Sequence, residues 1–481
     1  MAVICQAVGR GPIQVTVCAV FNRAGSLPNP WYARTRLLLP QGIRCAELFQ
    51  PLSCSFNRPG WTMTASMSRD QELRLRAAAV IPGGMYGHQS VALLPDDYPQ
   101  FFAHGEGAYL WDVDGRRYLD LMCAYGPQLL GYAHEEIDTA AVQQMRRGDP
   151  LTGPTELMVT LAERMTAMVK HAQWAMFCKN GTDATTMALT TARAHTHRKT
   201  VVLAKGAYHG AAPWCTPLPS GTTTEDRANQ IFCTYNDVAS LEAAVEKAGS
   251  DLAAIFASPF KHDAFVDQAC PQAAYARRAR ELCDERGALL VVDDVRGGLR
   301  IARDCSWSTV DVQPDLSSWG KCIANGHPIS ALLGSEKARD AAASIFVTGS
   351  FWYAASPMAA ALVTLRLVAQ TDYLERIERL GDKLRSGLHE RASASGFRLR
   401  QTGPAQMPLF LFDEDPDLRL GFFWSSEMLK RGVYVHPWHN MFLSGAMTEL
   451  DIDAALDAAA GAFSVLKAKR ATIEPSRKML R

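Results

Sequence analysis

Ala288-Leu-Leu-Val-Val-Asp-Asp294 joins an unbroken apolar run to two carboxylates, and its reading decides the fold. Apolar residues in succession, without alternation, describe a strand buried on both faces, as in the middle of a parallel sheet. Runs of the same kind recur at Ala175–Cys178, Val201–Ala204, Ala253–Ala257 and Ala331–Gly334, with helical periodicity between them. Short apolar strands alternating with helices between roughly 155 and 370 specify an α/β unit around a mostly parallel central sheet.

Working outward, Gln71–Val80 predicts a short helix and Ile81-Pro-Gly-Gly-Met-Tyr-Gly87 a turn-rich loop. The segment Gly107–Gly115, continued by Arg117-Tyr-Leu-Asp-Leu121, reads as a hairpin around an Asp-Gly turn. On the far side, Leu374, Ile377, Leu380, Leu384 and Leu388 keep helical spacing, Gly432–Val435 reads as a strand, and Asp451–Leu466 as an Ala-rich helix. These flanks form a smaller α+β domain built from N- and C-terminal segments. The expected organisation is a leader over 1–68, the first part of the small domain over 69–130, and the large domain over 131–370. The rest of the small domain follows over 371–466, then a basic tail over 467–481.

The leader carries Arg10, Arg23, Arg34, Arg36, Arg44 and Arg58, no lysine, and Glu47 as its single acid. That bias suits a transit peptide, or a disordered leader outside the mature fold with Met63 or Met67 as the start.

Composition narrows the function classes. With 50 basic and 49 acidic residues among 481, the formal charge is +1, so no global field attracts nucleic acid or an anionic membrane. No apolar run approaches the ~18 residues of a membrane span. The 12 cysteines contain no C-x-x-C pair and no zinc-type spacing, which points to a reducing cytoplasm and to no metal site.

Four features lie where strands and helices of the sheet meet, the edge at which open α/β sheets bind ligands. Asn180-Gly-Thr-Asp-Ala184 follows a strand and opens the helix Thr185–His195, so Gly181 and Thr182 offer a phosphate seat at the positive helix end. Asp293 ends the central strand, where a carboxylate can pair with a cationic ring nitrogen. In Ser317-Ser-Trp-Gly-Lys321, a lysine in apolar surroundings is a candidate imine-forming nucleophile. Tyr208-His209-Gly210 places an aromatic ring where it can lie over a flat cofactor. Each feature alone has an ordinary structural explanation. Together, a phosphate seat, a stacking ring, an acidic partner and a lysine are the parts that pyridoxal 5′-phosphate (PLP) requires.

The chain resembles the class III aminotransferases of fold type I, most of all the glutamate-1-semialdehyde aminomutases. The resemblance spans about Ile81 to Ala460 and rests on eight ordered motifs: Ile81-Pro-Gly-Gly84, Ala124-Tyr-Gly-Pro127, Gly131-Tyr-Ala-His134, Gly153-Pro-Thr-Glu156, Asn180–Ala184, Tyr208–Gly210, Val292–Val295 and Trp319–Lys321. It implies that Lys321 forms a Schiff base with PLP, that Asp293 pairs with the ring nitrogen, that Val295 packs on the ring and that Tyr208 stacks. It also implies that Asn180, Gly181, Thr182 and His209 bind the cofactor. The Gly349-Ser350 pair of a neighbouring subunit would complete the phosphate site, which implies a homodimer with shared active sites.

The implied reaction transfers an amino group between an amine or amino acid and a keto or aldehyde acceptor; the alternative is an intramolecular aminomutase. Departures from the family pattern concern the substrate: Ser258-Pro259 replaces Glu-Pro, and the C-terminal segment reads His436-Pro-Trp-His-Asn-Met-Phe442. Tyr125, His436, Trp438 and His439 are therefore candidate substrate contacts, and Arg296, Arg300 and Lys261 are candidates for a substrate carboxylate. A nucleotide-binding reading fails on motif, because no G-x-G-x-x-G or G-x-x-x-x-G-K-[ST] is present.

Overall fold

In the computed structural model, which describes residues 67–475, the chain starts with the helix Arg69–Val80, capped at Ser68 by a reciprocal bond with Gln71. Three antiparallel strands follow, β1 (Phe102–Glu106), β2 (Tyr109–Asp112) and β3 (Arg117–Asp120). The hairpin expected from the Asp-Gly turn is the β2–β3 pair, and β1 adds an exposed edge that its weak patterning did not announce.

The large sheet holds β4 (Trp174–Cys178), β5 (Thr200–Ala204), β6 (Gln230–Cys233), β7 (Leu252–Ala257), β8 (Leu289–Asp293), β9 (Leu316–Trp319) and β10 (Ser330–Gly334), in the order β4-β10-β9-β8-β7-β5-β6. All pairings from β9 to β6 are parallel, while β10 runs antiparallel to both neighbours. β8 sits at the centre with every residue buried, as its apolar run requires. Helices cover both faces, and each face has its own packed cluster. Phe177, Val202, Leu290 and Val292 serve one; Cys178, Leu203, Leu289 and Val291 serve the other, so alternate residues of a strand feed opposite cores.

C-terminal to the sheet lie the long helix Tyr373–Ala394, the ribbon β11 (Leu399–Thr402) and β12 (Leu409–Phe412), the two-residue strand β13 (Val433–Tyr434) and the helix Glu449–Lys469. β13 pairs in parallel with β3, so both ends of the described chain share one four-stranded sheet. That pairing joins the N- and C-terminal flanking segments in one sheet. The leader lies outside the described residues up to 66, and the end of the basic tail does so from 476 onward.

Candidate active site

Four loops meet beyond the carboxyl ends of β4, β5, β8 and β9, around a cavity of about 610 Å³. The helix Gly181–Thr196 starts directly after β4, and its first turn is anchored by Asp183, whose carboxylate accepts the backbone N–H of Asn180 at 2.9 Å. Gly181 is required by contact: a Cβ there would lie 2.6 Å from Cγ1 of Val295. Backbone N–H groups at this helix start therefore face the cavity beside Val295.

The loop after β5 folds onto that turn. Thr182 Oγ1 accepts the N–H of Ala211 at 3.1 Å, and Thr185 Oγ1 donates to the carbonyl of His209 at 2.7 Å. These bonds fix His209, whose Nδ1 lies 2.8 Å from Oδ2 of Asp293, with both side chains buried. The other Asp293 oxygen accepts the N–H of Val295 at 3.2 Å. His209 Nε2 is buried without a partner among the described residues. Tyr208 lines the cavity and keeps one side open to solvent, and burial of the rest of the ring raises its phenol above the usual range.

Lys321 follows β9 in a left-handed conformation, φ +44°, with Gly320 extended before it. An ordinary side chain in that region is strained and marks a functional constraint. Its stem passes Gly126, where a Cβ would meet Lys321 Cδ at 3.2 Å and Phe442 at 3.0 Å. Burial, reinforced by the Arg296 guanidinium, lowers the Lys321 ammonium to about 8, which brings its free base within reach of neutral pH although the ammonium still predominates there.

Asn180, Gly181, Thr182, Tyr208, His209, Asp293, Val295 and Lys321 thus all line one cavity. Gly349 and Ser350 do not; Ser350 is exposed elsewhere on the chain. Tyr125, His436, Trp438 and His439 stand one layer behind the wall, which differs from the expected direct contact. The 436–440 loop folds on itself: His436 Nδ1 accepts the N–H of His439 at 3.1 Å, and Trp438 stacks on Phe265. Tyr125 meets the edge of His88, which does line the cavity.

Of the carboxylate candidates, Arg296 lines the cavity, donating to Asn440 Oδ1 at 2.5 Å and facing His439 Nε2 at 3.3 Å. Arg300 is corrected. Fully buried, it donates to the carbonyls of Leu443, Gly126 and Gln128 and lies over the Phe442 ring, so it fastens loops together. Lys261 is corrected too, since its backbone bridges Ala269 and its side chain is absent from the wall. Sequence reading missed His88 and His262, both on the wall. Burial holds His88 at about 4 and His262 well below the usual imidazole range, so both are neutral. Neither belongs to a motif, and only the tertiary fold collects them.

Residues 94–442 match the family model for class III aminotransferases. The chain belongs to the class III aminotransferases. Aminopentol aminotransferase of Sphingopyxis macrogoltabida is 56% identical over 411 residues, covering 85% of this chain and 97% of that protein. The 3-aminobutyryl-CoA aminotransferase of Cloacimonas acidaminovorans is 30% identical, covering 82% and 96%. Among solved structures, the FumI protein of Sphingopyxis sp. MTA144 in its PLP internal aldimine form superposes with a TM-score of 0.85 at 56% identity, covering 85% of this chain and 99% of that one. Glutamate-1-semialdehyde 2,1-aminomutases are similar as well, that of Desulforamulus reducens at 29% identity and that of Anaeromyxobacter sp. at 31%. The aminotransferase is therefore the reading that stands, over the aminomutase, and its cofactor is PLP. The cavity fits that cofactor: a helix start bared by Gly181, a buried carboxylate braced by His209, and a buried lysine whose ammonium is lowered to about 8.

Proposed function

We propose that this aminotransferase uses Lys321 as its covalent anchor and proton carrier and takes an amine on a hydroxylated chain as donor. The observation that carries the reading is that Lys321, the Asp293–His209 pair and the Gly181–Thr182 helix start border one cavity. When bound, PLP supplies an aldehyde that receives the amino group and a protonated ring that accepts the electrons released at the donor carbon. Asp293 holds that ring proton, and His209 fixes the carboxylate. Gly181 and Thr182 hold the phosphate with backbone N–H and hydroxyl groups. Tyr208 covers the ring, and Val295 supports it from the Gly181 side. Lys321 Nζ links to the cofactor between turnovers and, once released by the donor, moves a proton as a free base.

The donor class is argued from the wall. His88 and His262 are neutral hydrogen-bonding groups on the wall, suited to the hydroxyls of a donor, and Arg296, bonded to Asn440 through Nη1, retains its other guanidinium donors for the same cavity. The likeness to an aminopentol aminotransferase supports the same class. We also propose a homodimer, in which Gly349 and Ser350 of one protomer complete the phosphate seat of its partner. A reducing, cytoplasmic setting accords with eight free cysteines among the described residues. Among those residues, no helix is long and apolar enough to cross a membrane.

Purified enzyme mixed with amino polyols, simple alkylamines and α-amino acids tests the donor class through bleaching of the cofactor's visible band. Amino polyols are expected to bleach it fastest. Equal or faster bleaching by α-amino acids sinks the hydroxylated-donor reading.

A further inference from the structure

Lys179 stands between β4 and the capping residue Asn180, on the wall of the cofactor cavity, and the roles assigned above leave it without a task. Its Nζ is closed to solvent and has no hydrogen-bond partner among the described residues. The acid in its vicinity, Asp149, makes no ion pair with it. That carboxylate instead accepts the N–H of Ala355 and the hydroxyl of Ser356, at the start of the helix Ala355–Gln370. Burial lowers the Lys179 ammonium, the response of a cation that has lost water without gaining a counter-ion. The Lys179 main chain is held by Asp183, which accepts its N–H at 3.3 Å, and by the Ser330 hydroxyl, which donates to its carbonyl at 3.3 Å. The main chain is therefore fixed while the charged end of the side chain is unpaired.

A buried, uncompensated ammonium is costly, and here it adds to the positive end of the helix Gly181–Thr196. Two positive features on one cavity wall, with no carboxylate bonded to Lys179, form a place for an anion. The phosphate of PLP is a dianion that the same helix start receives. We propose that Lys179 is a phosphate-binding residue of this aminotransferase, donating from Nζ to the cofactor phosphate beside the N–H groups of Gly181 and Thr182. The role is specific to the charged phosphate and independent of the aldehyde and the ring, so Lys179 is a positioning residue for the cofactor. The inference rests on the cofactor placement above.

Cofactor retention tests it. Wild-type, Lys179→Met and Lys179→Arg holoenzymes are diluted, and cofactor release is followed by the visible band; each is then reloaded with PLP or with pyridoxal, which lacks the phosphate. Lys179→Met is expected to weaken PLP retention roughly ten- to hundredfold, the scale of a lost charge-assisted hydrogen bond, while leaving pyridoxal binding within about twofold of wild type. Lys179→Arg is expected to recover most of the PLP preference. A Lys179→Met enzyme that keeps the wild-type ratio of PLP to pyridoxal affinity overturns the proposal, including the case where only subunit dissociation changes. Should the Met variant not fold, Lys179→Gln, which also loses the charge, is put through the same comparison, and an unchanged ratio of PLP to pyridoxal affinity overturns the proposal. Failure of the cofactor placement itself would look different: Lys321→Ala would then hold PLP with an unchanged visible band.

Discussion

His209 Nδ1 and Asp293 Oδ2 lie 2.8 Å apart with both side chains buried, so the carboxylate that ends β8 is itself held by the loop after β5, two strands away. His209→Ala leaves Asp293 buried with one main-chain bond, and kcat is expected to fall about ten- to hundredfold, the scale of a lost charge-assisted hydrogen bond. His209→Gln, which keeps a donor, should recover part of the loss. Steady-state kinetics with the visible spectrum of each variant check this.

Lys321→Ala removes the proposed base as well as the proposed anchor, and a loss of about 10²–10⁴-fold is expected from the base alone. The lowered ammonium sets the pH response: the free-base fraction of unlinked Lys321 rises with pH through a midpoint near 8. Borohydride trapping of pyridoxal on cofactor-depleted enzyme, measured across pH, should follow that curve. A midpoint near the ordinary lysine value of 10.5 would contradict it.

Arg300 and Arg296 sit four residues apart and should separate cleanly. Arg300→Met strips three carbonyls, those of Leu443 and Gly126 fully buried, of their donor, so a stability loss of about 1–3 kcal/mol for each buried acceptor left unpaired is expected by thermal or urea unfolding. Arg296→Met should instead act mainly on the donor KM, because its guanidinium faces the cavity.

Acid sensitivity has a named source in His171, buried against Ser317 with its Nε2 2.9 Å from the Ser317 hydroxyl. Burial lowers the imidazole from 6.5 to about 4. Between those values the unfolded chain carries the extra proton, so stability falls as pH drops through that window, by roughly 2–3 kcal/mol from this residue. His171→Gln should flatten the pH dependence of urea midpoints between 6.5 and 4.

What could be read from the sequence was set by local physics. The apolar run at 288–292 and its four companions became β8, β4, β5, β7 and β10, because fully buried strands leave continuous hydrophobic text. β9 escaped, since Ser317 and Ser318 read as loop although both are buried. β6 escaped as a short edge strand with an exposed Phe232. The direction of β10 depends on a crossover that no local pattern encodes. At the site, residues adjoining strand ends were legible as motifs. His88 and His262 were not, and Tyr125, His436, Trp438 and His439, named from the sequence as substrate contacts, stand behind the wall, a depth no local pattern shows because distant segments meet there.

The pairing of β13 with β3, continued by the Phe442 N–H donating to the Leu121 carbonyl at 2.7 Å, has a consequence for how the enzyme is made. During synthesis the strands carrying Asp293 and Lys321 leave the ribosome long before residues 433–442. Those late residues supply Phe442 against Gly126 and Asn440 for Arg296. A nascent chain therefore holds the reactive lysine before it has the wall that encloses it, and tight cofactor capture belongs to the finished polypeptide.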